Sequence, residues 1–277
     1  MRFFARLRAL VPLVPLLISA AASNGQPALT AGSAHYEVYQ GEKVVGAGDY
    51  TVQPTPTGYT ITSHGKLNLT KFGYSFTNAQ HLDGSLNLVS DQLSGTVNGS
   101  AVTLDINSDS TGRQFEIKIS ANGKQTQNTV DRHQHLVLLP DLDPAAYLLL
   151  TRVAMANPPT SWILIPKQDG ILVPSTITLG SSVRGRLNGS EVHVQHTTIS
   201  MNSENPVNIE LFYTSDGQVL EADLDQQNFS VVLDGFKLID HPKPAPPSAP
   251  AQPGTPQSPN TPQYQAPQHG YPQMQQQ

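Results

Sequence analysis

From Tyr36 to Leu233 the chain repeats one pattern: short runs in which apolar and polar residues alternate, separated by turn dipeptides. Alternation with period two places every second side chain on one face, the signature of a half-buried β-strand. The runs are Tyr36–Tyr39, Val44–Val52, Tyr59–Thr62, Lys66–Leu69, Phe72–Phe76, Leu86–Leu88, Val102–Ile106 and Phe115–Ile119, then Trp162–Ile165, Ile171–Leu179, Val192–Ile199, Val207–Tyr213, Val219–Leu224 and Phe229–Leu233. Asp83-Gly84, Asn98-Gly99, Asn122-Gly123, Asn188-Gly189 and Asp216-Gly217 punctuate them, and such pairs supply the positive φ of tight hairpins. Gly46 and Gly48 inside one run mark a bulge or a close backbone approach. The pattern predicts a mainly β domain over residues 23–241, a long antiparallel meander of roughly ten to thirteen strands.

One stretch breaks the rhythm. Asp143 is a capping residue and Pro144 suits the first helical position. The residues after it, to Met155, are apolar on nearly every side, and Asn157-Pro158-Pro159 ends them. A helix apolar all round is a buried helix. The expected architecture is therefore a curved sheet or incomplete barrel around one buried helix near 143–155. Trp162 and the helix face carrying Tyr147, Leu150 and Ala154 should be buried, and Tyr147, Leu150 and Trp162 are the candidates to line a cavity.

The two ends read differently. Arg2, Arg6 and Arg8 precede a short apolar stretch, and Ala20-Ala21-Ala22 offers a cleavage site. Residues 1–22 are thus expected to be a signal peptide; the run is short for a membrane span and is broken by Pro12 and Pro15. Export places the mature protein in a periplasm or outside the cell. Residues 242–277 hold 11 of the 23 prolines and nine glutamines, with no Leu, Ile, Val or Phe. Such a segment cannot bury enough apolar surface to offset its ordering entropy, so a disordered tail is expected. Prolines at every third position from Pro244 to Pro262 match polyproline II, about 3.1 Å per residue or roughly 60 Å in all. The tail is then a spacer, or a contact with an envelope protein or the cell wall. Its deletion should leave the melting temperature nearly unchanged, a result checked by calorimetry of the full and truncated chains.

Composition removes several functions. There is no cysteine, so no disulfide and no thiolate metal site. A net charge of −5 gives no footprint for nucleic acid. No Gly-x-Ser-x-Gly elbow, phosphate loop or His-Glu-x-x-His zinc helix is present. Asp109-Ser110-Thr111-Gly112 reads as a turn, and His193 and His196, three residues apart on a strand, fall on opposite faces. Asp131, His133 and His135 would share one face if this stretch were a strand, and two imidazoles with a carboxylate suit zinc, iron or copper. No second ligand pair accompanies them, so no metal, other cofactor or catalytic residue is favoured.

The Tyr36-x-Val38-Tyr39-x-Gly41 opening, the helix with Tyr147 and Arg152, and the hairpin around Asp216-Gly217-Gln218-Val219-Leu220-Glu221 resemble those of secreted bacterial β-rich proteins of unknown function. More distantly they resemble the lipoprotein-localisation carriers. That resemblance implies a half-barrel holding a lipid or acyl chain, and no catalytic residues. The expected function is a non-enzymatic exported binding protein. A structural or adhesion module acting through edge strands or the tail is the alternative, and a metal-dependent enzyme using Asp131, His133 and His135 the third.

Overall fold

The computed structural model describes residues 28–240 apart from 167–169 and 204–206, with the Asp225 side chain also outside the description. The expected signal peptide and the Pro/Gln tail lie outside the described residues. Eight successive antiparallel strands come first: β1 (Gly32–Gln40), β2 (Lys43–Thr55), β3 (Gly58–Leu69), β4 (Phe72–Asp83), β5 (Leu88–Val97), β6 (Ser100–Ser108), β7 (Gln114–Ala121) and β8 (Lys124–Asp131). The short β9 (Leu136–Leu138) leads to the helix α1 (Pro144–Ala156), which returns to β10 (Ser161–Ile165). β11 (Ile171–Leu179), β12 (Val183–Leu187), β13 (Ser190–Met201), β14 (Val207–Tyr213), β15 (Val219–Leu224), β16 (Phe229–Leu233) and β17 (Phe236–Leu238) complete the domain.

The second meander closes onto the first, because β16 pairs with β1 over Tyr36↔Leu233 to Gln40↔Phe229. The sheet then runs from β8 back through β1, across β16, β15, β14 and β13, and on through β11 and β10 to β9. β12 and β17 form a small flap on the other half of β13. β8 and β9 are consecutive in the chain but lie at opposite ends of the pairing order, so the curled sheet is not closed. β9 and β10, joined by α1, are the one parallel pair among the described strands, and a helical crossover is what a parallel pair requires.

Burial of α1 drives the curl. Every residue from Pro144 to Ala154 is buried, including Thr151 and Arg152. Asp143 has β-region dihedrals and its Oδ1 accepts from Ala145 N at 2.9 Å, while Asn157 ends the helix in the left-handed conformation. The helix packs chiefly against β2, β3, β9, β14 and β15, so both meanders wrap it. Gly48 makes the approach possible: a Cβ there would stand 3.2 Å from the Pro144 ring. Gly65, its partner across β2–β3, leaves room for the Phe76 ring, which a Cβ would meet at 2.5 Å. Arg152 Nη1 donates to the Asp216 carbonyl at 2.8 Å, tying the helix to the β14–β15 hairpin.

Seventeen strands among the described residues exceed the number expected from the pattern. The runs Tyr59–Thr62 and Lys66–Leu69 are one strand, its apolar phase interrupted by Ser63 and Gly65. Leu86–Leu88 is mostly turn, since Asp83 Oδ1 accepts from the Ser85 and Asn87 backbone and Leu86 takes φ 61°. β8 escapes the pattern because a largely exposed strand, Lys-Gln-Thr-Gln-Asn-Thr-Val-Asp, has no apolar face to declare itself. All three Asn-Gly pairs have both residues at positive φ, as predicted for tight hairpins.

Candidate functional site

Where α1 leans on β2–β3 and β14–β15, the concave face of β4–β7 is left to the loop before the helix. A pocket of about 260 Å³ lies there. Phe72 and Tyr74 of β4, Leu93 and Val97 of β5, Val102 and Leu104 of β6, and Ile119 and Ala121 of β7 form its floor, and Pro140, Asp141 and Pro166 its upper wall. The floor residues sit in register, Tyr74 opposite Val97 and Leu93–Leu104–Ile119 in one row. Alternation puts Gly95 on the same face between Leu93 and Val97, where it adds no side chain. Among the described residues no lysine or arginine lines this pocket.

Further along the same face of β4 and β5, among residues that do not line the pocket, the sheet turns polar. Asn78 lies opposite Leu93, and Gln80 opposite Asp91. Ser63, Asn78, Gln80 and Asp91 are at most 1% exposed, although all are polar. Asp143 answers part of this group: its Oδ2 accepts from Ser63 Oγ at 3.0 Å and from Asn78 Nδ2 at 3.2 Å. Among the described residues, both carboxyl oxygens of Asp91, both amide atoms of Gln80 and Oδ1 of Asn78 have no hydrogen-bond partner. Buried polar groups are ordinarily satisfied, so five such atoms together are unusual. Burial raises the pKa of Asp91 well above the carboxylate range and the charge of Asp143 raises it further; the Asn78 amide favours the charged form without closing a bond of normal geometry. Asp143 is raised by its own burial, and Tyr74 by burial and by Asp141 and Asp143.

The cavity candidates fall beside this pocket. Tyr147 and Leu150 are 1% and 2% exposed in the helix core and are not among the pocket-lining residues. Trp162 is half-buried on β10, where full burial was expected, and stacks on the His133 ring at 4.0 Å. The stretch from Asp131 to His135 is not a strand: β8 ends at Asp131, and His135, at φ 55°, forms a turn before β9. The alternation that would place Asp131, His133 and His135 on one face is therefore absent. Asp131 Oδ1 instead accepts from Gln114 Nε2 at 3.0 Å, and the His135 carbonyl accepts from Trp162 N. Among the described residues no group of three or more His, Asp or Glu side chains is arranged to hold a metal. Asp109 caps a turn, its carboxylate held down to about 2 by Thr111 and the backbone of Gln114, Thr111 and Arg113.

The polar residues of the inner face were not singled out from the sequence, yet they leave a signal there. Asn78 and Gln80 keep the phase of Phe76 and Leu82, and Asp91 keeps the phase of Leu93. A polar residue in the apolar phase of a strand is the readable mark of a buried polar site.

A second titratable group lies on the outer face. Glu221 of β15 is pushed up to about 8 by burial and by Asp223. The folded state therefore holds a proton that the unfolded chain has released, and stability falls as pH rises from about 4.5 through about 8. Glu221→Gln removes that dependence. Urea unfolding should show the variant gaining more than about 1.4 kcal/mol on wild type between about pH 5 and pH 9.

No family model matches this chain, and no curated protein matches it. A solved β-barrel-like protein of a domain of unknown function, DUF1849, from Brucella abortus aligns with 77% of this chain and 99% of its own at 14% identity and a TM-score of 0.52. A protein from Bacteroides fragilis with a YmcC-like fold, described as a candidate exported protein, aligns with 77% of this chain and 98% of its own at 6% identity and a TM-score of 0.27. The first likeness is one of fold; the second is too distant to carry argument. No helix among the described residues is long and apolar enough to cross a membrane.

Proposed function

We propose that this chain is an exported, non-enzymatic binding protein of the cell envelope that holds a lipid or other apolar ligand inside its unclosed barrel. The observation that carries the reading is the apolar pocket on β4–β7, roofed by the loop before the buried helix. Its volume is just under the ~300–1,000 Å³ usual for small-molecule sites, which suits a short acyl chain or one end of a longer ligand. The distant sequence resemblance to the lipoprotein-localisation carriers supports this reading, since it implies an open barrel with an apolar interior under a helix. An environment-sensitive apolar fluorophore titrated into the full chain tests it. Saturable binding that Leu104→Trp abolishes by filling the pocket supports the proposal; binding indifferent to Leu104→Trp contradicts it.

One observation favours the second reading, an interaction module. β8 (eight residues) pairs only with β7 among the described strands. Strand addition to such an edge is physically available.

A further inference from the structure

We infer that the ligand of the β4–β7 pocket is a single-chain amphiphile with an anionic head group, its chain on the pocket floor and its head at the rim beside Lys43 and Lys71. The inference rests on the binding function proposed above and adds the head-group chemistry. The pocket reaches the end of the sheet, since Phe72 opens β4 while Val97 and Ala121 close β5 and β7 at the hairpin tips. There it adjoins a more open cleft of about 360 Å³, and Phe72 lines both. Val45 and Leu69 continue the apolar lining, and Lys43 and Lys71 border it. An extended ligand can therefore run from the pocket to the rim along apolar surface.

The local fold brings these cations to the rim. Val38 pairs with Gly46 and Tyr39 with Val44, so Val45 is the extra residue of a β-bulge. A bulge re-aims side chains: Val45 is buried while Val44 is 47% exposed. Lys43, directly opposite Gln40, shares the face of the buried Tyr36 and Val38. Lys71 stands in the turn between β3 and β4, immediately before Phe72. Across the pocket Lys124 opposes Ala121, a floor residue. All three lysines are exposed, and none has an ion-pair partner among the described residues. Two carboxylates offset part of this charge: Glu42 precedes Lys43 at the rim, and Asp141 stands on the pocket wall. Asp141 disfavours an anion inside the pocket, whereas Lys43 and Lys71 favour one at the rim. Together they orient the chain tail inward and head outward.

Isothermal titration of the full chain with decanoate, decyl phosphate and decylamine at low salt tests this. Solvated charge pairs contribute modestly, so the better anion should bind about 3- to 10-fold tighter than the amine. The sign is informative because the chain as a whole carries a net charge of −5, which by itself attracts the amine. Combining Lys43→Gln with Lys71→Gln should remove the preference, and added salt should shrink it. Both positions are exposed, so the double variant should keep its fold. Whichever anion binds tighter assigns the head group as a carboxylate or a phosphate. Decylamine binding as tightly as the better anion, or a preference unchanged in the double variant, overturns the inference but leaves the pocket its apolar ligand. Binding of none of the three overturns the pocket reading itself.

Discussion

Replacing Tyr147 with alanine should destabilise the domain by about 3–5 kcal/mol, the range for deleting a buried aromatic side chain. Tyr147 is 1% exposed on a helix whose surroundings come from both meanders. A cavity at this point is hard to refill, because the strands that would have to collapse onto it are held by pairing on both sides. The loss is a large fraction of the roughly 5–15 kcal/mol of net stability of a typical domain. Urea unfolding followed by circular dichroism gives the number, with an unchanged slope showing that the folded and unfolded states keep their difference in exposed surface. A loss below about 1 kcal/mol would mean that the helix is peripheral to the fold.

The second large effect belongs to Asp143. Its carboxylate caps α1 through Ala145 N and takes hydrogen bonds from Ser63 and Asn78. Asp143→Ala removes the cap, worth about 0.5–2 kcal/mol, and leaves buried donors on Ser63 and Asn78, each at a cost of about 1–3 kcal/mol. A total of about 3 kcal/mol or more is expected. Asp143→Asn keeps the shape and the capping oxygen, so it should cost much less. Because burial raises the pKa of Asp143, the asparagine variant should also flatten the fall in stability as pH rises. The comparison of the two variants by thermal unfolding at acid and alkaline pH tests both statements.

Much of this fold was legible in the sequence because a half-buried strand declares itself by alternation. Val102–Ile106 and Phe115–Ile119 were readable in that way, and the helix was readable because Asp143, Pro144 and the Asn157-Pro158-Pro159 stop each have a local physical reason. The parts that were not legible lack such a local cause. β8 is largely exposed and so carries almost no pattern. The return of β16 onto β1 joins residues nearly two hundred positions apart, and nothing local encodes it. The turn at His135 defeats the shared face of Asp131, His133 and His135 for the same reason, since the chain there is redirected by the parallel pairing of β9 with β10. The candidate site lies between these cases. Leu104 and Ile119 were visible as apolar phases, Leu93 fell in no run because β5 mixes polar and apolar residues on its inner face, and their assembly into one floor depends on the register of four strands.

The most direct test of the central claim is native mass spectrometry of the full chain purified from the envelope of its source cells, before and after organic extraction. The account predicts a recurring added mass that extraction releases, that proves to be an apolar or amphiphilic molecule, and that is absent from the Leu104→Trp variant prepared alongside. A clean mass of the chain alone, with the fold intact by circular dichroism, would contradict it and turn attention to the open edge of β8.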